Sequence, residues 1–168
     1  MRIRFKEIRK SLNMNEKSIL LCSKLKECDF YKSAKNVLIY YPLKYEISPL
    51  FLLSDKKNFY LPRVSGEELQ ACPFAEGDEL SLSPLNISEP LTPPVSASIL
   101  DLIIVPALSV DKSKYRLGYG GGYYDRFISK YPSIKTVVMI PEKLIVENLP
   151  TEGYDKKVDY VISESEVF

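Results

Sequence analysis

The sequence predicts a three-layer α/β fold, in which a mostly parallel sheet is flanked by helices in a doubly wound, Rossmann-like arrangement. Five short apolar segments are typical of buried strands, and a proline directly follows each of the first four: residues 36–41, 57–61, 101–105, 135–140 and 158–162. Continuously apolar strands that alternate with helices indicate a parallel sheet covered on both faces. The 168 residues are expected to form a single domain over residues 1–168.

The amino-terminal third of the chain is expected to be helical. Residues 2–12 carry apolar side chains at mixed helical spacing, and Asn13 with Glu16 forms a capping box that begins a second helix. Residues 65–95 are rich in Pro, Ser and Glu, which predicts a small β-hairpin or loop excursion beside the sheet. Further helices are expected around residues 49–55, 122–131 and 141–148.

The composition excludes several kinds of site. The chain has no histidine, so Ser-His-Asp triads, Cys-His pairs and His-ligated metals are excluded. Its net charge of +1 gives no overall field that would attract nucleic acid or a membrane. No apolar run approaches the roughly 18 residues of a membrane span. Cys22, Cys28 and Cys72 lack the spacing of a zinc site or a disulfide framework, so we expect reduced thiols in a cytoplasmic protein.

A glycine-rich segment, RLGYGGGYYD at residues 116–125, follows the third predicted strand. Ligands of α/β sheets bind beyond the carboxyl ends of strands, which is where this segment is expected. Its glycines let backbone N–H groups approach a ligand, and the following helix adds the positive end of its dipole. Arg116 is suited to neutralise phosphate charge, and Asp125 is suited to hold magnesium, which prefers oxygen ligands. The alternative is a flexible loop whose glycines serve only turns.

The same segment differs from both common nucleotide-binding fingerprints. GxGxxG would require glycine where Tyr123 stands, and GxxxxGK[ST] is absent. A dinucleotide site and a Walker-type site are therefore disfavoured.

Together with the preceding DLIIVPALSVD, the string RLGYGGGYYDRF resembles the signature of 5-formyltetrahydrofolate cyclo-ligases, also called methenyltetrahydrofolate synthetases. FYLPRV, ISEP and YDKKVDYVIS are similar to further segments of that family, so the resemblance covers nearly the whole chain. It implies an ATP- and Mg²⁺-dependent conversion of 5-formyltetrahydrofolate to 5,10-methenyltetrahydrofolate, with release of ADP and phosphate. The implied route passes through a phosphorylated formyl group, an iminium phosphate, and needs no protein nucleophile.

The resemblance also implies roles for individual residues. Arg116, Tyr123 and Asp125 would be catalytic, and Asp125 with Asp155 would hold Mg²⁺. The reduced folate would contact Tyr41, Glu46, Tyr119 and Tyr123, and a carboxylate at Glu46 suits the amino-pyrimidine edge of the pterin. ATP would contact a basic set at the amino terminus and the whole glycine-rich loop: Arg2, Lys6, Arg9, Arg116, Leu117, Gly118, Tyr119, Gly120, Gly121, Gly122, Tyr123 and Tyr124.

The chain departs from the family pattern at three places. Tyr154 replaces the usual histidine before Asp155, and Lys114 stands where family members have glycine. The amino-terminal pattern Lys-x-x-Leu-Arg is altered. Arg2 and Lys6 retain the five-residue spacing of its two cations, with arginine and lysine exchanged, and Arg9 is the substitute candidate for a phosphate-binding cation.

Two other functions remain open at this point. The chain could be a phosphotransferase that acts on another small substrate, or a catalytically silent binder of folate or nucleotide. In each case the partner is a small molecule, and for the cyclo-ligase it is a reduced folate that can carry a polyglutamate tail. Neither nucleic acid nor a membrane is expected as a partner, and a monomer is expected.

Overall fold

The computed structural model describes all residues from 1 to 168. Its four α-helices are α1 Arg2–Lys10, α2 Met14–Glu27, α3 Asp29–Ser33 and α4 Tyr123–Lys130. Its eleven strands are β1 Asn36–Leu38, β2 Asn58–Ser65, β3 Glu68–Phe74, β4 Leu80–Leu82, β5 Ser88–Pro90, β6 Leu102–Ile104, β7 Ser109–Asp111, β8 Arg116–Leu117, β9 Lys135–Met139, β10 Ile145–Val146 and β11 Tyr160–Ile162. None of the helices combines the length and the apolar character that crossing a membrane requires.

The main sheet has six strands in the order β11-β9-β6-β1-β2-β3. The first five pair in parallel, and β3 adds an antiparallel edge. Counted along the chain, the five parallel strands lie in the order 2-1-3-4-5, which is a doubly wound arrangement. The predicted fold class is therefore confirmed.

Apolar residues alternate between the two faces of the sheet. In β1, Val37 packs into the core on one face and Leu38 into the core on the other. The face of Val37 is covered by α2 through the fully buried Leu25, and the face of Leu38 is covered by α1 and α4 through Phe5 and Phe127. Both faces of each parallel strand are thus buried, which explains the continuously apolar runs in the sequence.

The start of α2 confirms the predicted capping site. Asn13 precedes the helix, and its side chain accepts a hydrogen bond from the backbone N–H of Glu16 at 3.2 Å. This contact satisfies one of the unpaired N–H groups of the first turn.

β2 is longer than the sequence indicated. Pro62 was expected to end this strand, but β2 continues to Ser65 and pairs with β3. The proline is tolerated because the pairing of β1 with β2 ends at Tyr60, so no parallel neighbour faces Pro62. The excursion predicted for residues 65–95 therefore lies partly in the main sheet, while β4 and β5 form a separate small hairpin.

Two predicted helices are wrong in type. Residues 141–148 contain only a 3₁₀ turn, Glu142–Leu144, followed by β10. A longer helix cannot form there because β10 pairs with β7, and the carbonyl of Leu144 accepts the Ser109 hydroxyl at 2.7 Å. Residues 49–55 likewise contain a 3₁₀ turn, Pro49–Leu52.

Candidate active site

A cavity of about 950 Å³ lies beyond the carboxyl ends of the central strands. Tyr40 and Tyr41 line it where the chain leaves β1, and Pro106 lines it where the chain leaves β6. β1 and β6 are neighbours at which the strand order reverses, so the cavity occupies the topological switch point of the sheet. Its volume is near the upper end for ligand pockets, which reach about 1,000 Å³.

The glycine-rich loop forms one wall of this cavity, and two of its four glycines have conformations that other residues rarely adopt. Gly120 has a φ of 107° and Gly122 a φ of 67°. Gly122 directly precedes α4, and no side chain caps the first turn of that helix. The first N–H groups of α4 therefore lie at the cavity with the positive end of the helix dipole, which is an arrangement that favours an anion.

Arg116 lies beneath the loop, with only 4% of its side chain exposed. Its Nη2 is 3.0 Å from Oδ1 of Asp125, but neither Nε nor Nη2 makes an aligned hydrogen bond. Burial lowers the pKa of the guanidinium, and the nearby Asp125, Tyr124 and Asp155 oppose this effect. Nε thus has no acceptor, and Nη2 has only the poorly aligned carboxylate of Asp125, so a phosphate group at the cavity could accept from both.

Two carboxylates stand beside Arg116 and line the same cavity, as the sequence predicted. Oδ1 of Asp125 accepts the N–H of Lys156 at 3.1 Å, and Oδ2 of Asp155 accepts the N–H of Glu152 at 2.7 Å. The second oxygen of each carboxylate makes no hydrogen bond to the protein. No group of three or more acidic or cysteine side chains is clustered as a preformed metal cage. Mg²⁺ usually binds through one or two carboxylates and substrate phosphates, so Asp125 and Asp155 fit this ion.

Glu46 lines the cavity from a tight turn that follows β1. The residue is 8% exposed, and its Oε2 accepts the N–H of Leu43 at 2.7 Å. Its Oε1 accepts the hydroxyl of Tyr119, which comes from the glycine-rich loop. Burial and the Glu46 carboxylate together raise the pKa of Tyr119, so this hydroxyl stays protonated and remains a donor. Glu46, which the resemblance assigns to folate, is therefore in direct contact with the glycine-rich loop.

The three basic residues predicted at the amino terminus differ in position. Arg2 lines the cavity, and its Nε donates to the carbonyl of Gly118 at 3.0 Å. Lys6 and Arg9 do not line it. The ammonium of Lys6 lies 5.8 Å from the centroid of the Tyr119 ring, while Arg9 is 4% exposed and binds protein groups.

The tandem tyrosines of the loop line the cavity in different ways. Tyr123 lies beneath the guanidinium of Arg126, at 4.9 Å from its ring centroid. The Tyr124 ring is 5.8 Å from Arg116, and burial raises the pKa of its hydroxyl. Leu117 and all four loop glycines also face the cavity, so the predicted loop residues are brought together.

The sequence reasoning missed two acidic residues. Glu89, within the quoted ISEP segment, is 9% exposed, lines the cavity and accepts the N–H of Val64 at 3.1 Å. Asp111 is buried and accepts the N–H groups of Ser113 and Tyr115 at 2.9 Å, which shapes the turn that leads into the loop. The signal was an acidic residue inside a run of apolar or small residues for Glu89, and at the end of such a run for Asp111.

Comparison with known proteins identifies the family. A family model described as the 5-formyltetrahydrofolate cyclo-ligase family matches residues 1–164. The chain belongs to this family. It is 28% identical to the probable 5-formyltetrahydrofolate cyclo-ligase of Schizosaccharomyces pombe, over 92% of this chain and 87% of that protein. It is 27% identical to the 5-formyltetrahydrofolate cyclo-ligase of Mus musculus, over 98% of this chain and 92% of that protein.

Solved structures agree with this assignment. The NMR structure of the Aquifex aeolicus 5,10-methenyltetrahydrofolate synthetase matches with a TM-score of 0.83 and 31% identity, over 99% of this chain and 89% of that chain. A 5,10-methenyltetrahydrofolate synthetase from Mycoplasma pneumoniae has the same fold, with a TM-score of 0.76 at 20% identity over 97% of this chain and 96% of that chain. Membership of the cyclo-ligase family makes this chain an enzyme of the ligase class, and 5-formyltetrahydrofolate cyclo-ligation is the activity it indicates. The resemblance found in the sequence is confirmed.

Proposed function

We propose that the enzyme converts 5-formyltetrahydrofolate to 5,10-methenyltetrahydrofolate with hydrolysis of ATP to ADP and phosphate, and that Mg²⁺ is required. ATP dependence is general in this family. The observation that carries the site assignment is the position of Arg116. Its Nε and Nη2 make no aligned hydrogen bond, and they are buried beside a glycine-rich loop and an uncapped helix start at the sheet's switch point.

In this proposal the ATP phosphates bind against the loop. Leu117 to Tyr124 supply backbone N–H groups and the helix start, and Arg116 and Arg2 supply positive charge. The carbonyl of Gly118 holds Arg2 against the loop, so this cation is already oriented before ATP binds. Lys6 and Arg9 lie outside the cavity wall, and we do not place them on the phosphates.

The folate binds on the other side of the cavity. Glu46 accepts hydrogen bonds from the amino-pyrimidine edge of the pterin, and Tyr41, Tyr119 and Tyr123 provide aromatic surface for the flat ring. The contact between Glu46 and Tyr119 brings this subsite directly against the loop. A formyl group on the folate then lies next to the terminal phosphate of ATP.

The chemistry requires positioning and charge neutralisation. The formyl oxygen is a poor leaving group, so it attacks the γ-phosphorus of ATP, ADP leaves, and the formyl group becomes an iminium phosphate. The neighbouring amine nitrogen of the folate attacks the formyl carbon and loses its proton to solvent, and phosphate leaves. Arg116 stabilises the negative charge of the transferred group, because a buried cation acts more strongly than one in water. No protein nucleophile takes part, which agrees with a chain that has no histidine.

Mg²⁺ would be held by Asp125 and Asp155, which keep one carboxylate oxygen each for a ligand. When bound, the ion neutralises charge on the phosphates. Since Asp125 also contacts Arg116, its carboxylate would hold both the metal and the guanidinium.

An omission assay tests the proposal. Purified protein is mixed with ATP, Mg²⁺ and 5-formyltetrahydrofolate, and the near-ultraviolet absorbance of the methenyl product is followed while each component is left out in turn. Product should require all three components. Product without ATP, or none with all three, contradicts the proposal. ATP turnover that is independent of folate would instead indicate a phosphotransferase, and tight calorimetric binding without turnover would indicate a binding protein.

A further inference from the structure

Arg9 connects three segments of the active site, although it does not line the cavity. It lies in the last turn of α1 and is 4% exposed. Its Nη2 donates to the carbonyl of Ala107, just after β6. Its Nη1 donates to the hydroxyl of Tyr119 at 3.3 Å and lies 3.5 Å from the carbonyl of Tyr45. One guanidinium therefore joins the end of a central strand, the glycine-rich loop and the turn that carries Glu46.

The bond from Arg9 fixes the direction of the next hydrogen bond. An arginine can only donate, so the oxygen of Tyr119 accepts from Arg9 and its hydrogen is directed to Oε1 of Glu46. The positive charge of Arg9 lowers the pKa of Tyr119, against the larger raising effects of burial and Glu46. Arg9 thus compensates the negative charge of this buried contact.

The turn that carries Glu46 contains a strained backbone conformation, which contacts from other segments must stabilise. Tyr45 has a φ of 68°, a left-handed conformation that is strained for a residue with a side chain. The carbonyl of Tyr45 faces Nη1 of Arg9, and the N–H of Leu43 donates to the Glu46 carboxylate. Arg9 and Glu46 hold this turn from its two sides.

We infer that Arg9 is a positioning residue for the folate subsite: it sets the orientation of Tyr119 and Glu46 and does not contact ATP. This inference rests on the proposed function, because it assigns the Glu46 side of the cavity to folate. It differs from the role that sequence resemblance implied, in which Arg9 is a substitute phosphate ligand.

Steady-state kinetics of Arg9→Met separate these roles. Methionine retains much of the buried volume and removes all donors. The KM for 5-formyltetrahydrofolate should rise about tenfold or more, as expected for loss of a hydrogen bond to a charged group, while the KM for ATP stays within about twofold. Arg9→Lys, which restores the charge and one donor, should recover part of the loss. Lys10→Met is the matched control on α1, because Lys10 is exposed and pairs only with Glu7.

Tyr119→Phe provides a second test that does not depend on the folding of Arg9→Met. It removes the hydroxyl through which Arg9 acts and leaves Arg9 in place. Its folate KM should rise by a similar factor, and the double variant should lose little more than either single variant. Circular dichroism melts establish that the variants are folded.

Three results would overturn the inference. They are a rise in the ATP KM alone, full additivity of the two substitutions, and an unchanged folate KM in both single variants. If the wild-type protein shows no turnover, the proposed function fails, whereas calorimetric binding of 5-formyltetrahydrofolate to the same variants still tests Arg9. Equal folate affinity of wild-type, Arg9→Met and Tyr119→Phe proteins in that measurement would exclude the positioning role.

Discussion

Replacing Gly122 with alanine should damage both the stability of the protein and its use of ATP. Gly122 has a φ of 67° at the start of α4. A Cβ atom added there would lie 2.7 Å from Nη1 of Arg126. Arg126 would have to move, which endangers the 3.0 Å hydrogen bond from its Nη2 to the carbonyl of Gly121.

The structure gives the size of the effect. A left-handed conformation costs an alanine roughly 1–2 kcal/mol. Losing the exposed bond of Arg126 adds about 0.5–1 kcal/mol. Alanine restricts the unfolded chain more than glycine, which offsets about 0.4–1 kcal/mol. The net destabilisation is about 1–2 kcal/mol, and the melting temperature should fall by roughly 3–8 °C for a chain of this size.

Two other glycines provide controls within the same chain. Gly66 has a φ of 62° but open space around it, so Gly66→Ala isolates the conformational cost. Gly153 has neither a positive φ nor a close neighbour, so Gly153→Ala should leave stability unchanged or slightly raised. Gly122→Ala should melt below both variants, and only Gly122→Ala should lower kcat/KM for ATP, by about tenfold or more. If Gly122→Ala has the same melting temperature as Gly66→Ala and the same KM for ATP as the wild-type protein, this reasoning is refuted.

Three further predictions concern side chains. Arg116→Met should lower kcat/KM for ATP by about 10²–10³, the usual cost of removing one transition-state donor. It should also lower the free energy of unfolding, because the variant loses the ion pair with Asp125. A kcat/KM for ATP equal to that of the wild type would contradict the role of Arg116. Glu46→Gln should raise the folate KM about tenfold or more and leave the ATP KM unchanged, since one charged acceptor is lost; an equal rise in both constants would place Glu46 elsewhere. Burial raises the pKa of the Cys22 thiol to about 12. Iodoacetamide at about pH 8 should therefore modify the partly exposed Cys28 first, and mass spectrometry would show the order of modification. Cys22 should react only as the pH approaches 12 or the chain unfolds.

The sequence determined the layers of the fold because buried strands have a recognisable apolar composition. Strands covered on both faces are almost continuously apolar, and residues 102–105 and 137–140 show this directly. The capping site at Asn13 is equally local, because the residue bonds to an N–H three positions away. The glycine-rich loop was visible for a similar reason, since glycine adopts positive φ more readily than other residues, as Gly120 and Gly122 do.

Features that depend on pairing with residues distant in the chain could not be predicted from the sequence. Pro62 predicts the end of a strand, because the sequence does not show that β1 ends early and leaves no parallel neighbour opposite this proline. Residues 141–148 have helical composition, but tertiary pairing with β7 replaces the helix.

The candidate site likewise has features that the sequence predicted and features that only the tertiary structure decided. The sequence by itself predicted a phosphate and magnesium site, because the glycines, Arg116 and Asp125 have chemistry suited to those ligands. The folate role of Glu46 was predicted only by the family resemblance. Only the tertiary structure decided which of the amino-terminal cations face the cavity. Arg2 reaches the loop, whereas Arg9, seven residues later on the same helix, is buried against Ala107 and Tyr119. The physical reason is that a side chain's role depends on which acceptors surround it, and these come from segments about 100 residues away in the chain.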